Sequence, residues 1–92
     1  MKYNAVFEAE ARRRFGKLSA VLASKVQAAI GELCENPTKL SRQSHFPHPL
    51  HFQIFDTYIE HDGERILLKV FFQYSQDESS LLIDDFLIIE IP

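Results

Sequence analysis

The sequence contains a single cysteine, Cys34, and no tryptophan. One cysteine excludes an intramolecular disulfide, so a reducing compartment is expected. Long apolar runs are also missing, because the longest one, Leu81–Ile91, is interrupted by Asp84, Asp85 and Glu90. No stretch reaches the ~18 apolar residues of a membrane-spanning helix, and none near the N-terminus resembles a signal peptide. We therefore expect a cytoplasmic protein without membrane contacts.

Positive charge is scarce and unevenly placed. The net charge is −3, from ten Lys/Arg and thirteen Asp/Glu. Residues 1–51 carry eight Lys/Arg and four Asp/Glu, whereas residues 52–92 carry two and nine. Because binding to a phosphate backbone requires clustered positive charge, the acidic second half argues against a general nucleic-acid-binding protein.

Apolar and aromatic residues are abundant. Hydrophobic residues make up 46% of the 92 positions, with eight Phe and three Tyr. This length predicts one domain, residues 1–92. A domain of this size buries a limited share of its surface, and aromatic side chains compensate because each buries a large area.

The first half predicts a strand followed by two helices. Polar and apolar residues alternate over Lys2–Phe7, which indicates a short strand. Glu8–Phe15 has helix-forming residues, with acids first and arginines last, and Gly16 ends it. Ser19–Asn36 has apolar residues at helical spacing, a capping Ser19 and a terminating Asn36-Pro37.

The second half predicts a sheet. Thr38–Leu50 contains two prolines and indicates a loop. Phe52–Glu60, Arg65–Tyr74 and Leu81–Ile91 are rich in β-branched and aromatic residues, and Asp62-Gly63 is typical of a tight turn. The predicted fold class is α+β: a helical hairpin packed on one face of a small, mostly antiparallel four-stranded sheet, in the order β-α-α-β-β-β.

Both faces of the predicted sheet are apolar, although two helices can cover only one. The second face would leave large side chains in water unless a partner or a second copy binds there. Ordinary surface aromatics are the alternative. The predicted partner-binding residues are Leu67, Phe71, Phe86 and Ile88.

Three segments of the sequence resemble the RelE/ParE toxin superfamily. Tyr3–Leu18 is similar to that family's opening strand and first helix. Phe52–Phe72, with its His-Asp-Gly-Glu turn, resembles the sheet hairpin of the HigB-like branch. The family's second helix commonly ends in L-x-x-N-P. Five residues here are similar to it, namely Val26, Ile30, Leu33, Asn36 and Pro37.

The resemblance implies a toxin-type module of a toxin–antitoxin system, or a diverged relative, that acts through protein contacts and binds an antitoxin protein. Members of the superfamily cut mRNA on the ribosome or inhibit DNA gyrase. Ribosome-dependent members carry Arg or Lys on the middle strands, and Arg65 and Lys69 match that set here. The last strand has Asp84, Asp85 and Glu90 where those members carry basic or aromatic residues.

Cleavage of RNA through its 2′-hydroxyl requires a base, an acid and a cation for the developing phosphorane charge. Arg65 and Lys69 lie four apart on one predicted strand, on the same face, and His48 could supply proton transfer. His45, His48 and His51 recur every three residues. They lack a carboxylate or cysteine partner, so the metal signal is weak, and ordinary loop histidines are the alternative. We predict no metal site and no cofactor.

A solvated cation pair is the alternative for Arg65 and Lys69. Asp84 and Asp85 are adjacent on a strand, so they point to opposite faces and cannot form a carboxylate dyad. One of them is expected to pair with Arg65 or Lys69. Three hypotheses therefore remain: a toxin-type module acting by protein contacts, a metal-independent ribonuclease using Arg65, Lys69 and His48 that would contact RNA or the ribosome, and an unrelated structural or regulatory homodimer.

Overall fold

The structure is a computed structural model that describes residues 2–43 and 52–90. Three helices and five strands make up the described part of the chain. In chain order they are β1 (Asn4–Phe7), α1 (Ala9–Gly16), α2 (Ala20–Glu35), α3 (Pro37–Leu40), β2 (Arg42–Gln43), β3 (Gln53–His61), β4 (Glu64–Tyr74) and β5 (Ser80–Glu90).

The strands form one sheet in the spatial order β1-β5-β4-β3-β2. β3, β4 and β5 are antiparallel neighbours, as short hairpin connections require. β1 lies parallel to β5, and the long connection through three helices and three strands permits this pairing. β2 is a two-residue strand antiparallel to β3 at the other edge.

The helices begin and end where their sequence requires. The Ser19 hydroxyl accepts a hydrogen bond from the Leu22 backbone N–H at 3.2 Å and caps α2. α2 ends at Asn36, and Pro37 starts α3 at a position where its missing N–H is not needed. α1 has Glu10 in its first turn and two arginines in its last, which complements the helix dipole.

Two reversals join the long strands. Asp62 and Gly63 both adopt positive φ, 52° and 76°, as the tight turn between β3 and β4 requires. Between β4 and β5, the Asp77 carboxylate accepts hydrogen bonds from the Ser75 hydroxyl and from the backbone N–H and hydroxyl of Ser79. These bonds, led by the one from Ser75, lower the pKa of Asp77 to about 2.

The core lies between the helices and one face of the sheet. Alternate residues of β4 point into it, namely Ile66, Leu68, Val70 and Phe72. From the helices, Ala11, Val26, Ile30 and Leu33 pack onto them. Tyr74 of β4 points to the same side of the sheet. Its ring centroid lies 5.7 Å from that of Tyr3 and 5.8 Å from that of Phe72. We call this helix-packed side of the sheet the covered face.

The predicted α+β class and the order β-α-α-β-β-β are confirmed. The segment predicted as a loop, Thr38–Leu50, contains most of the short helix α3 and the edge strand β2 in its described part. Two residues suffice for β2 because they extend an existing sheet edge, and no sequence period can reveal so short a strand. Within residues 2–43 and 52–90, every helix is too short or too polar to span a membrane.

Candidate functional site

The opposite side of the sheet, which we call the open face, has no helix packed on it in the described part of the chain. Residues directly opposite each other in an antiparallel pair share a face. Leu67 lies opposite Tyr58 on β3 and Ile89 on β5, and Lys69 lies opposite Leu87. Tyr58 is 56% exposed and Ile89 42%, whereas the core residues on the covered face are below 10%.

The open face carries an apolar patch on two neighbouring strands, β4 and β5. Leu67, Phe71 and Leu87 are half-buried, and Ile89 is exposed at one end. Ile54 of β3 lies opposite Phe71 but is buried, at 7% exposed, so it adds no accessible surface. An apolar surface of this kind on a small protein is typical of a binding site. We call the four partly exposed residues Leu67, Phe71, Leu87 and Ile89 the open-face patch.

A bulge in β5 decides which residues reach this patch. The pairing of β4 with β5 shifts between Phe71 and Phe72, so that Ile83 pairs with Phe72 and Asp85 pairs with Phe71. Asp84 is therefore an extra residue, and the alternation of β5 reverses beyond it. Leu87 and Ile89 face outward as a result, while Phe86 faces the helices.

Two of the predicted partner-binding residues are corrected by this bulge. Leu67 and Phe71 lie on the open face, as expected. Phe86 is fully buried on the covered face, with its ring centroid 6.5 Å from that of Phe7, and Ile88 packs against the same core. Neither side chain is placed to meet a partner on the open face. The prediction was wrong for these two residues because it assumed regular alternation through Asp84 and Asp85.

The two acidic residues of the bulge have separate partners. Asp84 accepts a hydrogen bond from Gln73 at 3.0 Å, and burial raises its pKa even though that bond favours the charged form. Asp85 accepts from Arg14 of α1 at 2.8 and 3.4 Å, and these bonds raise the pKa of Arg14. Asp84 and Asp85 form no dyad.

Lys69 is neutralised by Asp56 of β3, for which the sequence predicted no role. Its ammonium lies 2.9 Å from one oxygen of Asp56, and the Arg42 guanidinium lies 2.7 Å from the other. Asp56 thus joins β2, β3 and β4 across the open face. The expected pairing of Lys69 or Arg65 with Asp84 or Asp85 is wrong, because the bulge gives those acids other partners and Asp56 is directly opposite Lys69.

Arg65 lies on the open face too, in a different setting. Its guanidinium carbon is 4.3 Å from the centre of the Tyr58 ring, a cation–π contact. Leu67 separates it from Lys69 along β4. The two cations therefore share a face, but one stacks on an aromatic ring and the other is bound by a carboxylate.

The third predicted catalytic residue, His48, lies outside the described residues, as do His45 and His51. Their relation to Arg65 and Lys69 stays a prediction. In the part of the chain that is described, no group of three His, Cys, Asp or Glu side chains is arranged to hold a metal ion.

The three consecutive arginines of α1 do not form a patch. Arg12 donates to the Phe7 backbone carbonyl, Arg13 pairs with Glu10, and Arg14 pairs with Asp85. Successive helical residues point about 100° apart, which explains the three different partners. The hydrogen bond from Arg13 lowers the pKa of Glu10.

A groove of about 460 Å³ runs between β1, α1 and α2. Its walls include Phe7, Phe15 and Ile30, and its charged residues are Lys2 and Arg12. Cys34 lies at this groove, where burial raises the pKa of its thiol and keeps it protonated. The groove can take an apolar group, but it brings no acid and base together.

Comparison with known proteins points to one fold. No protein-family model matches the sequence, and no curated protein sequence is significantly similar to it. Among solved structures, a chain of the toxin–antitoxin complex RelBE2 from Mycobacterium tuberculosis superposes with a TM-score of 0.63 and 18% identity, over 99% of this chain and 100% of that one. A chain of the intact E. coli RelBE toxin–antitoxin complex superposes with a TM-score of 0.62 and 12% identity, over 98% of each chain.

These superpositions extend over nearly the whole chain, and they agree with the resemblance seen in the sequence. At such low identity they establish the architecture and carry no residue roles. The chain has the RelE-like fold found in RelBE toxin–antitoxin complexes.

Proposed function

We propose that this protein is a toxin-type module of RelE-like fold that acts by binding a protein partner through its open face. The observation that carries the proposal is the open-face patch, on which no helix of the described part of the chain packs. The fold adds support, because both similar structures come from toxin–antitoxin complexes. An antitoxin is the kind of partner that fits this proposal, and binding would take place in the cytoplasm.

The apolar surface of the patch supplies a driving force for binding. Removing apolar surface from water stabilises a complex by ~25 cal/mol per Å² before the costs of association. Leu67, Leu87 and Ile89 lie side by side on two strands that also pair through their backbones, so they are held rigidly. A rigid apolar surface loses little conformational entropy on binding, which favours a specific partner over random association.

Co-expression with the product of the neighbouring reading frame tests the proposal. We expect a short protein from that frame to co-purify and to shift the mass of the purified species to that of a hetero-complex. Purification of this chain alone as a stable homodimer, in the presence of the neighbouring product, would instead support the structural or regulatory homodimer.

The ribonuclease is the second candidate, and one observation favours it: Arg65 and Lys69 share the open face of β4. In this alternative the pair stabilises the phosphorane and His48 transfers a proton. Neutralisation of Lys69 by Asp56 weakens the alternative, since a cation already bound to a carboxylate contributes less to a phosphate. Growth arrest and shortened mRNA on induction would support it.

A further inference from the structure

We propose that Arg42 and Lys69 form a phosphate-binding pair that Asp56 occupies from within the chain, so that Asp56 suppresses anion binding at the open face. Partner binding by the apolar patch does not require this phosphate-binding pair. An experiment can therefore contradict either proposal without contradicting the other. The inference concerns the charged side of the open face, next to the apolar patch.

Arg42 and Lys69 surround the Asp56 carboxylate as two cations surround a bound anion. Each Asp56 oxygen accepts from a different cation, Oδ2 from Arg42 at 2.7 Å and Oδ1 from Lys69 at 2.9 Å. Cations on two separate strands therefore converge on a point between them. Arg and Lys donors that converge in this way are the usual binding groups for phosphate oxygens.

The pair remains accessible from solvent. The side chain of Arg42 is 53% exposed, that of Asp56 32% and that of Lys69 25%. An external phosphate could reach both cations if the carboxylate were absent. With Asp56 in place, an incoming anion meets a carboxylate between the two cations and is repelled by it.

The surroundings also suit a phosphate-bearing ligand. Arg65 lies four residues from Lys69 on the same face of β4, about 13 Å along the strand. Its guanidinium stacks on Tyr58, a ring that is 56% exposed. Removing the charge of Asp56 would thus leave Arg42, Lys69 and Arg65 on one surface, beside an exposed aromatic ring.

The experiment compares Asp56→Asn with Asp85→Asn. Both substitutions remove one negative charge, and both release an arginine from an ion pair. Asp56 pairs on the open face, however, whereas Asp85 pairs with Arg14 of α1. Asp85→Asn is therefore a control for net charge. Binding of a labelled single-stranded RNA oligonucleotide and of inorganic pyrophosphate is measured at several salt concentrations.

We expect Asp56→Asn to bind the oligonucleotide about tenfold more tightly than the unmodified protein at low salt, with a salt slope steeper by about one. Asp85→Asn should leave the affinity unchanged. A gain for pyrophosphate without a gain for the oligonucleotide assigns the pair to small phosphate compounds. A gain for the oligonucleotide alone assigns it to a phosphodiester backbone.

Adding Lys69→Met to Asp56→Asn should remove the gain, because one of the two phosphate donors is then missing. If the asparagine variant does not fold, Asp56→Ser makes the same comparison. The inference is overturned if the folded Asp56 variant binds neither probe more tightly than the unmodified protein. It is also overturned if Asp85→Asn gains equally or if Lys69→Met leaves the gain intact.

Discussion

Phe86 of β5 pairs with Val70 of β4, and both side chains are fully buried, whereas Leu87, the next residue, pairs with Lys69 on the open face. Strict alternation from the start of β5 would place Phe86 on the other side of the sheet. The bulge at Asp84 and Asp85 produces this exchange. It sets which apolar residues stabilise the fold and which are available to a partner.

Truncation of the two neighbours tests the bulge. Phe86→Ala should lower the free energy of unfolding by about 3–5 kcal/mol, because it removes a large side chain from the closed core. Leu87→Ala should cost about 1 kcal/mol, since that side chain is only half-buried. Urea denaturation followed by circular dichroism measures both. Equal losses, or a larger loss for Leu87→Ala, would show that β5 runs without the bulge.

The bulge also predicts a pH-dependent stability. Burial raises the pKa of Asp84 in the folded protein, so the folded state holds this proton more tightly than the unfolded chain does. The free energy of unfolding therefore falls as the pH rises from the unfolded-state pKa of Asp84 through its folded-state pKa. Asp84→Asn removes the charge and should raise the melting temperature at pH 7.

The stabilisation by Asp84→Asn should disappear at a pH below the ordinary range of an aspartate pKa, where Asp84 is protonated in both states. Asp77 offers the contrast, because its pKa is lowered to about 2. Its carboxylate contributes stability above the ordinary aspartate pKa, and that contribution is lost as the pH falls toward about 2. A melting temperature for Asp84→Asn that stays equal to that of the unmodified protein at pH 7 would contradict the burial of Asp84.

The ribonuclease alternative makes its own prediction. If Lys69 stabilises a phosphorane, Lys69→Ala should reduce cleavage by at least about a hundredfold, since loss of one electrostatic donor costs 10²–10³ in rate. Arg13→Ala is the control, because Arg13 is a cation of α1 paired with Glu10. RNA length after induction measures the effect. Cleavage that survives Lys69→Ala, or no growth defect on strong expression of the unmodified chain, excludes Lys69 from this role.

Periodicity and capping signals in the sequence predicted the main elements of the fold. Leu22, Val26 and Ile30 recur at helical spacing and form the inner side of α2. Ser19 and Pro37 mark its limits, and Asp62-Gly63 makes the predicted turn. These features depend on neighbours within a few residues, which is why a single sequence reveals them.

The candidate site was predicted only in part, because its members meet through pairing between distant segments. Leu67 and Phe71 follow from the alternation of β4 alone. Asp56 and Arg42 join Lys69 through strand register and an edge strand of two residues, for which the sequence has no period. Two adjacent acids within an apolar strand, Asp84 and Asp85, are a signal that could have suggested the bulge.

Two exposed aliphatic side chains allow partner binding at the open-face patch to be tested directly. Ile89 and Val21 are both exposed aliphatic residues, 42% and 60% exposed, but Ile89 lies on the patch and Val21 on α2. A charge at Ile89 would be buried without a counter-charge in the complex, and this weakens binding. A charge at Val21 would stay in water, so it should not weaken binding. Both positions already face water in the free protein, so neither change should unfold it.

The most direct measurement is the affinity of Ile89→Asp and Val21→Asp for the co-purifying product of the neighbouring reading frame, by isothermal titration calorimetry. The account predicts that Ile89→Asp raises Kd by at least about tenfold, equivalent to ~1.4 kcal/mol, and that Val21→Asp leaves it unchanged. Unchanged affinity for Ile89→Asp, or an equal loss for Val21→Asp, would contradict the claim that the partner binds the open face.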